Sequence, residues 1–432
     1  MSTRQDTLAL AIASNILPTS SESTMTRLMA NRHHGPVQTR GICDTEAATI
    51  TTTHATEVFV RCAPIASGTS RNGCQIQSRV VYESLAHLLS EVGADLSHVV
   101  FEKAFFRNLA ADIEDFEQIR VEAYRKRGIT GQLLPAITHV QQPPCRSGQD
   151  IELQAFAVLP TPEGEARVRA LSDAAEHLTV KLVEIGEARH LYIGNVPGYR
   201  GEEPEPGPFC QQSDRMFETA DRLLREHGTS FVDVLRTWIY LDDIDGQYDE
   251  LNAARNVFFQ RQGVRRLPAS TGIGGGTHPP GNRCVMDLYA LLNPEIAQIE
   301  VMQTPTLNEA PEYGSAFSRG MKMALPEETY LFVSGTASVD EQGATVHTGD
   351  SRGQIERMLL NIEQLLAPHG AGWADLVQAV TFLKSADDLG LFREICAERG
   401  MAEAPNTIVQ ADVCRPDLLC EMEAIAVVPT SE

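Results

Sequence analysis

The chain has little of the material that builds disulfide frameworks, zinc centres or membrane spans. Its nine cysteines are odd in number and never form a CxxC pair, which indicates a reducing compartment without a disulfide framework. No Cys/His cluster has the ligand spacing of a zinc site, and no apolar run approaches the roughly 20 residues that span a bilayer. We therefore expect a cytoplasmic protein with neither a bound metal nor a membrane segment.

Positive charge is also scarce. The sequence has 36 Lys and Arg against 58 Asp and Glu, a formal net charge of −22. Nucleic acids and anionic membranes are bound by Lys and Arg that neutralise phosphates, so this balance opposes both partners. A small anionic substrate needs only a few local arginines and remains compatible with the composition.

What the chain does have is an internal repeat. Three stretches share a pattern in which an amphipathic helix is followed by a glycine and an apolar strand: GADLSHVVFEKAFF from Gly93, GTSFVDVLRTWIYL from Gly228 and GAGWADLVQAVTFL from Gly370. The stretches align without a gap, and one aromatic position recurs in all of them, at Phe105, Tyr240 and Phe382. The pattern predicts a divergent triplication.

The repeats lie too far apart to be layers of a solenoid, so each predicts a domain with its own core. We expect an irregular N-terminal arm over residues 1–55, domain one over 56–165, domain two over 178–303 and domain three over 304–432. Each copy has the periodicities of a ββαβαββ unit, an α+β fold with helices on one face of a mostly antiparallel sheet. Packing the open sheet faces around a pseudo-threefold axis would give a single-chain pseudo-trimer with ligand clefts between domains.

Two segments of domain three, NIEQLLAPHGAGWADLVQAVTFL and PNTIVQADVCRPDLLCEMEAIAV, resemble the YjgF-like reactive-intermediate-deaminase family. The resemblance implies tandem YjgF/chorismate-mutase-like domains. Imine-hydrolysing members carry an Arg two residues after a Pro, and counting from the Pro these positions hold Ile137, Ser270 and Thr407. The family's last-strand Glu position is filled by Glu152, Asp287 and Glu421. Loss of a bidentate carboxylate clamp makes a plain deaminase the weaker alternative.

Domains two and three together resemble the chorismatases, YjgF-like enzymes that hydrolyse the enolpyruvyl ether of chorismate. The shared segments are RTWIY, PASTGIGG, PEYGSAFSR, SGTAS with His347 after it, and ADVCRPDLLCEME, the most specific of them. The resemblance implies that Glu421 is the catalytic acid, that Cys414 lines the site and that Tyr313 contacts the substrate. It also implies an Arg from the last helix region, for which we take Arg393, as the holder of a substrate carboxylate.

Other residues are expected at the same boundary between domains two and three. Arg236 lies in an apolar strand, and Arg415 follows Cys414 directly. Small residues in SGTAS let the backbone approach a ligand closely, which selects Gly335, Thr336 and Ala337. Two alternatives stay open here: Glu421 could be ion-paired with Arg415 or Arg236 rather than catalytic, and Cys414 could be an ordinary buried thiol.

Domain one repeats part of this constellation, because Cys145, Arg146 and Glu152 have the spacing of Cys414, Arg415 and Glu421. The longer ADVCR-x-x-LL context is absent there, so we expect domain one to be structural and domain three to be catalytic.

The expected function is a hydrolase that needs no cofactor and acts on chorismate or a related small carboxylate. Protonation of the enolpyruvyl methylene by Glu421 would generate an oxocarbenium ion, and capture by water would release pyruvate. The chain departs from the chorismatases where substrate would be held, since MQTPTLNEAPEYG has no arginine before YG. A divergent imine or enamine hydrolase and a non-catalytic ligand-binding protein remain alternatives. The protein would act as a monomer or homo-oligomer.

Overall fold

The computed structural model describes residues 43–65, 73–172, 178–199, 201, 205–401 and 404–430. Its elements fall into three consecutive groups, one for each sequence repeat. Domain one contains the strands β1 (Cys43–Thr51), β2 (Ala55–Pro64), β3 (Val99–Phe106), β4 (Ala136–Gln141) and β5 (Ile151–Pro160), with the helices α1 (Gly73–Glu91) and α2 (Leu109–Arg125).

Domain two contains β6 (Ala166–Ser172), β7 (Thr179–Ile185), β8 (Ala188–Pro197), β9 (Val234–Leu241), β10 (Ala269–Gly274), β11 (Gly276–Thr277) and β12 (Cys284–Leu291), with α3 (Phe209–Glu226) and α4 (Ile244–Gln262). Domain three contains β13 (Gln298–Val301), β14 (Gly320–Ala324), β15 (Glu328–Ala337), β16 (Leu376–Leu383), β17 (Asn406–Gln410) and β18 (Cys420–Pro429), with α5 (Ser351–Leu366) and α6 (Leu389–Glu398).

The three sheets share one strand order. Domain one has the order β1-β2-β5-β3-β4, domain two has β7-β8-β12-β9-β10, and domain three has β14-β15-β18-β16-β17. In each sheet the last two strands are parallel and the other neighbours are antiparallel. The structure is thus the expected α+β fold of three tandem domains forming a single-chain pseudo-trimer.

The glycines that mark the repeat have a shared backbone role. Gly93, Gly228 and Gly370 have φ values of 80°, 81° and 70°. This left-handed conformation ends the preceding helical segment and is costly for any residue with a Cβ. The repeat in the sequence therefore records a chain reversal that every domain needs between its first helix and the strand that follows.

The element boundaries differ from the sequence expectations in three places. Residues 43–51, assigned to the irregular arm, form β1 along the full length of β2. Residues 166–172 form an additional leading strand, β6, on the domain-two sheet. Residues 298–301, assigned to domain two, form β13 on the domain-three sheet. These strands lie at sheet edges, where exposed side chains weaken the hydrophobic periodicity on which the assignment relied.

Aromatic rings fill the space where the three sheets face one another. Phe59 and Phe156 of domain one have ring centroids 4.8 Å apart, and Phe156 lies 5.5 Å from Tyr192 of domain two. Tyr192 lies 5.0 Å from Tyr289, which lies 5.3 Å from Phe332 of domain three. This stack joins the domains through their helix-free sheet faces.

At the domain boundaries, an edge strand of one domain forms β-bridges with a segment of the neighbouring domain. β11 adds to β4, so domain two extends the sheet of domain one. Ala269 at the start of β10 forms a bridge to Ser318, and Pro144 forms one to Val409 in β17. Within the described parts of the chain, no helix is long and apolar enough to cross a membrane.

Candidate active site

A polar cavity of about 270 Å³ lies between domains two and three. Domain two contributes residues 248–255 of α4 and the middle of β10, and domain three contributes the end of β15, the start of β18 and the loops before β14 and β18. The lining residues are Tyr248, Asp249, Asn252, Arg255, Ser270, Gly272, Ser315, Phe317, Arg319, Gly335, Ala337, Val339, Cys414, Arg415, Leu418 and Glu421.

Glu421 is the buried carboxylic acid of this cavity, whereas Asp249 is exposed. It is the second residue of β18, pairs across the sheet with Phe382, and is only 4% exposed. Burial, followed by the negative charge of Glu423, raises the pKa of Glu421 to about 8, while Arg236 and Arg319 oppose the rise. A carboxyl with this pKa is protonated at neutral pH and can donate a proton to a bound molecule.

A bulge in β15 makes room for this carboxyl. The pairing with β18 shifts between Val333 and Thr336, which leaves two residues, Ser334 and Gly335, where a regular strand has one. A Cβ on Gly335 would lie 2.0 Å from Glu421 Oε1. The Gly335 amide donates to Thr271 Oγ1 at 3.0 Å, which holds the bulge against β10. The site therefore requires glycine at this position.

Two arginines that the sequence analysis missed are the most deeply buried cations of the cavity. Arg255 on α4 is 2% exposed and Arg319 is 5% exposed. Their guanidinium carbons lie 5.4 Å and 5.7 Å from the ring centroid of Phe317, which places the ring against both groups. Arg255 donates to Asn252 Oδ1 at 2.5 Å, and Arg319 donates to the Asn308 carbonyl at 2.8 Å.

Each of the missed arginines had a sequence signal. Arg255 is four residues after Leu251 and three before Phe258, so it occupies the buried face of α4. A charged residue on such a face needs a partner or a ligand. Arg319 ends PEYGSAFSR, one of the segments shared with the chorismatases.

Five of the residues expected at the site line the cavity: Gly335, Ala337, Cys414, Arg415 and Glu421. Burial raises the pKa of Cys414 to about 12, so its sulfur is a thiol at neutral pH. Thr336 is buried and its hydroxyl donates to the Ser334 carbonyl, away from the cavity. Tyr313 ends a short 3₁₀ helix, Ala310–Tyr313, but its side chain lies outside the described residues.

Arg236 and Arg393, which were also expected at the site, do not line this cavity. Arg236 is 1% exposed and lies behind the cavity, where it donates to Glu423 at 2.7 Å. Arg393 lies at the boundary of domains one and three. Burial there, followed by the positive charges of Arg146 and Arg61 of domain one, lowers the pKa of its guanidinium group. The second helix of each domain lines the boundary with the next domain, so α4, and not α6, faces this cavity.

The corresponding boundary in domain one is closed by an ion pair. In β2 a single residue, Arg61, occupies the place of the two bulge residues Ser334 and Gly335 of β15. The Arg61 side chain donates to Glu152 at 2.5 Å and to Glu46 at 2.9 Å. Arg146 pairs with Asp44 at 2.6 Å. The second Cys-Arg-Glu constellation is therefore occupied by its own ion pairs.

The strand register corrects the assignment of Asp287. Glu152 pairs with Phe105 and Glu421 with Phe382, but the equivalent Tyr240 pairs with Val285. Asp287 lies two residues further along and corresponds to Glu423 and Gln154. Domain two therefore has no carboxylate at the Glu421 position, because counting residues in the sequence does not register its last strand correctly.

The same register shifts the expected Arg position by one residue in two copies. Thr407 pairs with Val380, and the equivalent pairs are Lys103 with Thr138 and Trp238 with Thr271. Buried threonines thus replace Ile137 and Ser270 as the equivalents of Thr407, and the Arg is absent in all three copies. Among the described residues, no group of His, Cys, Asp or Glu could hold a metal ion.

Comparison with known proteins supports this organisation. Residues 308–428 match the family model described as Endoribonuclease L-PSP. A 3-hydroxybenzoate synthase of Streptomyces hygroscopicus is 29% identical over 300 residues, which cover 63% of this chain and 85% of the relative. A chorismatase of Streptomyces rapamycinicus is 29% identical over 246 residues, covering 51% of this chain and 72% of the relative.

Similarity also extends to a RutC family protein of Pyrococcus abyssi, 29% identical over 119 residues, 27% of this chain and 91% of the relative. Among solved structures, a crystal structure of a chorismatase matches with a TM-score of 0.56 at 19% identity, covering 76% of this chain and 93% of that one. The chain is similar to YjgF-like proteins in domain three, and over half or more of its length it is similar to chorismatases and a 3-hydroxybenzoate synthase.

Proposed function

We propose that this protein hydrolyses the vinyl ether of chorismate, or of a closely related small dicarboxylate, and releases pyruvate from the cavity between domains two and three. The observation that carries the proposal is a buried carboxyl, Glu421, with a pKa of about 8 in a cavity that also contains Arg255, Arg319 and Arg415. The similarity to chorismatases supports the same substrate class.

Glu421 acts as the general acid. Its proton passes to the terminal methylene carbon of the enolpyruvyl group, and the C–O oxygen stabilises the resulting cation as an oxocarbenium ion. Water adds to the carbon that carries the ether oxygen, the resulting hemiketal collapses with cleavage of the bond from that carbon to the ether oxygen, and the products are pyruvate and the ring alcohol. The Glu421 carboxylate recovers a proton released by the water, so the reaction consumes one water and needs no redox partner.

The arginines hold the substrate. Chorismate carries two carboxylates, and guanidinium groups bind carboxylates through paired N–H donors. Arg255 and Arg319 are already oriented by Asn252 and by the Asn308 carbonyl, which reduces the entropy lost on binding. Phe317 lies between them and offers an apolar surface to the ring of the substrate.

Cys414 does not act as a nucleophile in this mechanism. With a pKa of about 12, its sulfur carries no appreciable thiolate at neutral pH. We assign it to the wall of the site.

The test is to incubate the protein with chorismate and to assay pyruvate, with Glu421→Gln as the matched variant. Pyruvate release by the natural chain and its loss in Glu421→Gln, with substrate binding retained, supports the proposal. Ammonia release from imino acids without pyruvate from chorismate would instead identify an imine hydrolase. Binding of chorismate without turnover by either protein would identify a ligand-binding protein. Mass analysis of the ring product distinguishes a hydroxybenzoate from a non-aromatic diol.

A further inference from the structure

A second buried carboxylate, Glu423, lies behind the cavity. It is 5% exposed and is two residues beyond Glu421 on β18, so both side chains leave the sheet on the same face. Its cationic neighbours come from the other two domains. Arg236 of domain two donates to it at 2.7 Å, and the Lys103 Nζ of domain one lies 3.9 Å from it.

The same arginine is connected to the wall of the cavity. Arg236 Nη2 donates to Thr271 Oγ1 at 2.6 Å, and this oxygen accepts the Gly335 amide at 3.0 Å. Gly335 is the residue against which the Glu421 carboxyl packs. A continuous series of contacts therefore runs from Glu423 to the proton donor.

The Asp249 carboxyl on α4 and the Cys414 thiol line the cavity together with Glu421. Several further charged groups, from all three domains, surround the two carboxyls. They are Arg236 on β9, Lys103 on β3, Asp287 on β12, Arg319 before β14 and Arg415 before β18. Lys103 also lies 3.9 Å from Asp287 and 3.9 Å from the Trp238 ring centroid. Arg236 and Lys103 thus hold Glu423 in place beside Glu421, and a negative charge there disfavours ionisation of the Glu421 carboxyl.

We propose that Glu423 is a positioning residue for the reaction, held by Arg236 and Lys103 so that its negative charge adds to the effect of burial in keeping the neighbouring Glu421 protonated for transfer to substrate. The expected effect on the reaction rate rests on the proposed function. The expected effect of Glu423 on the protonation of Glu421 does not. The role of Glu423 gives domain one a part in the site, because Lys103 is the domain-one residue that contacts the Glu423 carboxylate.

The first test is Glu423→Gln, which removes the charge and keeps the size of the side chain. The rate constant kcat/KM of a reaction that needs protonated Glu421 falls as the pH rises through the pKa of that group. For the natural chain this decline should centre near pH 8. In Glu423→Gln the midpoint should fall by about 1 to 3 pH units, because Arg236 then has no compensating anion.

Two further variants separate this effect from a general loss of structure. Arg236→Gln removes a cation that opposes protonation of Glu421, so its midpoint should move to higher pH, and this variant serves also if Glu423→Gln does not fold. Glu152→Gln removes a buried, ion-paired carboxylate from the domain-one boundary and should leave the midpoint unchanged. Glu423→Asp keeps the charge and should restore a midpoint near that of the natural chain.

The protonation of Glu421 can also be followed without turnover. Difference infrared spectra across the pH range report its protonated carboxyl as the band that Glu421→Gln lacks. This readout excludes Lys103, whose pKa is lowered to about 8 by burial and so titrates in the same range. If chorismate is not hydrolysed, the infrared titration still decides the inference. Midpoints that stay the same in Glu423→Gln and Arg236→Gln, with only the rate reduced, would overturn it.

Discussion

Arg61 donates from Nε to Glu152 at 2.5 Å, at the strand position where the equivalent of Glu152, Glu421, faces a glycine. Both carboxyls occupy the same place in their domains. The difference is that the Arg61 side chain lies against Glu152, whereas an open cavity lies beside Glu421. What each carboxyl faces, and not the carboxyl itself, distinguishes the ion-paired Glu152 from Glu421, for which we propose the role of proton donor.

Removing this arginine should destabilise the fold without affecting the reaction. In Arg61→Ala the buried Glu152 has no cation, and loss of one partner of a buried pair costs about 3 to 5 kcal/mol. Denaturant titration measures the free energy of unfolding, and pyruvate release per folded molecule should equal that of the natural chain. Arg352→Ala is the control, since the Arg352 side chain is 40% exposed and its ion pairs with Glu356, Glu394 and Glu398 are screened by solvent, so that their loss should destabilise the fold much less. Equal losses in both variants would contradict this reading.

The glycine beside the proton donor should not tolerate a methyl group. In Gly335→Ala the added Cβ would lie 2.0 Å from Glu421 Oε1 and displace the carboxyl. We expect kcat for pyruvate release to fall on the order of 100-fold, the effect of a misplaced catalytic group. Gly390→Ala, where a Cβ meets nothing within 4 Å, is the matched control and should retain activity. Full activity in Gly335→Ala would refute the assigned position of Glu421.

The contribution of Glu421 to the free energy of unfolding should fall as the pH rises from about 4.5 to about 8. The pKa of Glu421 is about 8 in the fold, against an ordinary value of 4.5 for a glutamate in the unfolded chain, so in this window the folded state binds more protons than the unfolded state. The free energy of unfolding therefore decreases with pH, at up to about 1.4 kcal/mol per pH unit for one group. Glu421→Gln removes this component, so its stability relative to the natural chain should increase across the window. Denaturation curves at a series of pH values measure it, and a constant offset between the two proteins would rule it out.

The cavity arginines should determine binding rather than chemistry. Arg319→Lys keeps the charge but loses the planar pair of N–H donors, a change that matters where a carboxylate is held. We expect KM for chorismate to rise about tenfold, corresponding to about 1.4 kcal/mol, with a smaller change in kcat. Arg393→Lys, at the other domain boundary, should leave both constants unchanged. A matching rise in KM for Arg393→Lys would place the substrate at a different boundary.

The thiol of Cys414 should react slowly with alkylating agents. Burial raises its pKa to about 12, so little thiolate is present near neutral pH, although the side chain is partly exposed. Cys210 is exposed and should be alkylated first in a mass-spectrometric time course with iodoacetamide. Cys414→Ala should retain pyruvate release. Rapid labelling of Cys414 together with inactivation in Cys414→Ala would point to covalent catalysis.

The sequence predicted the parts of the fold that repeat. Gly93, Gly228 and Gly370 revealed the three domains because each must adopt the same left-handed conformation. The edge strands β6 and β13 were missed, since an edge strand has a weaker apolar pattern than a central one. Asp287 was misassigned because residue counting does not determine strand register.

The residues that line the cavity were also predicted only in part, because they come from separate segments of the chain. Glu421 and Cys414 lie in one continuous specific segment, ADVCRPDLLCEME, and could be recognised from it. Arg255 and Arg319 reach the cavity from separate elements in two domains, and no local pattern states which side chains meet there. Arg393 was selected because the resemblance to chorismatases implied an Arg from the last helix region, but Arg393 lies near domain one and not at this cavity.

The closure of three domains within one chain has an evolutionary consequence. In a homotrimer one gene specifies all three clefts, so an arginine that fills one of them fills the others as well. Here the codons for position 61 and for position 335 can change independently. The boundary of domains one and three could thus be filled by an ion pair while the boundary of domains two and three kept an open cavity. In domain two, Val285 occupies the position of the acid.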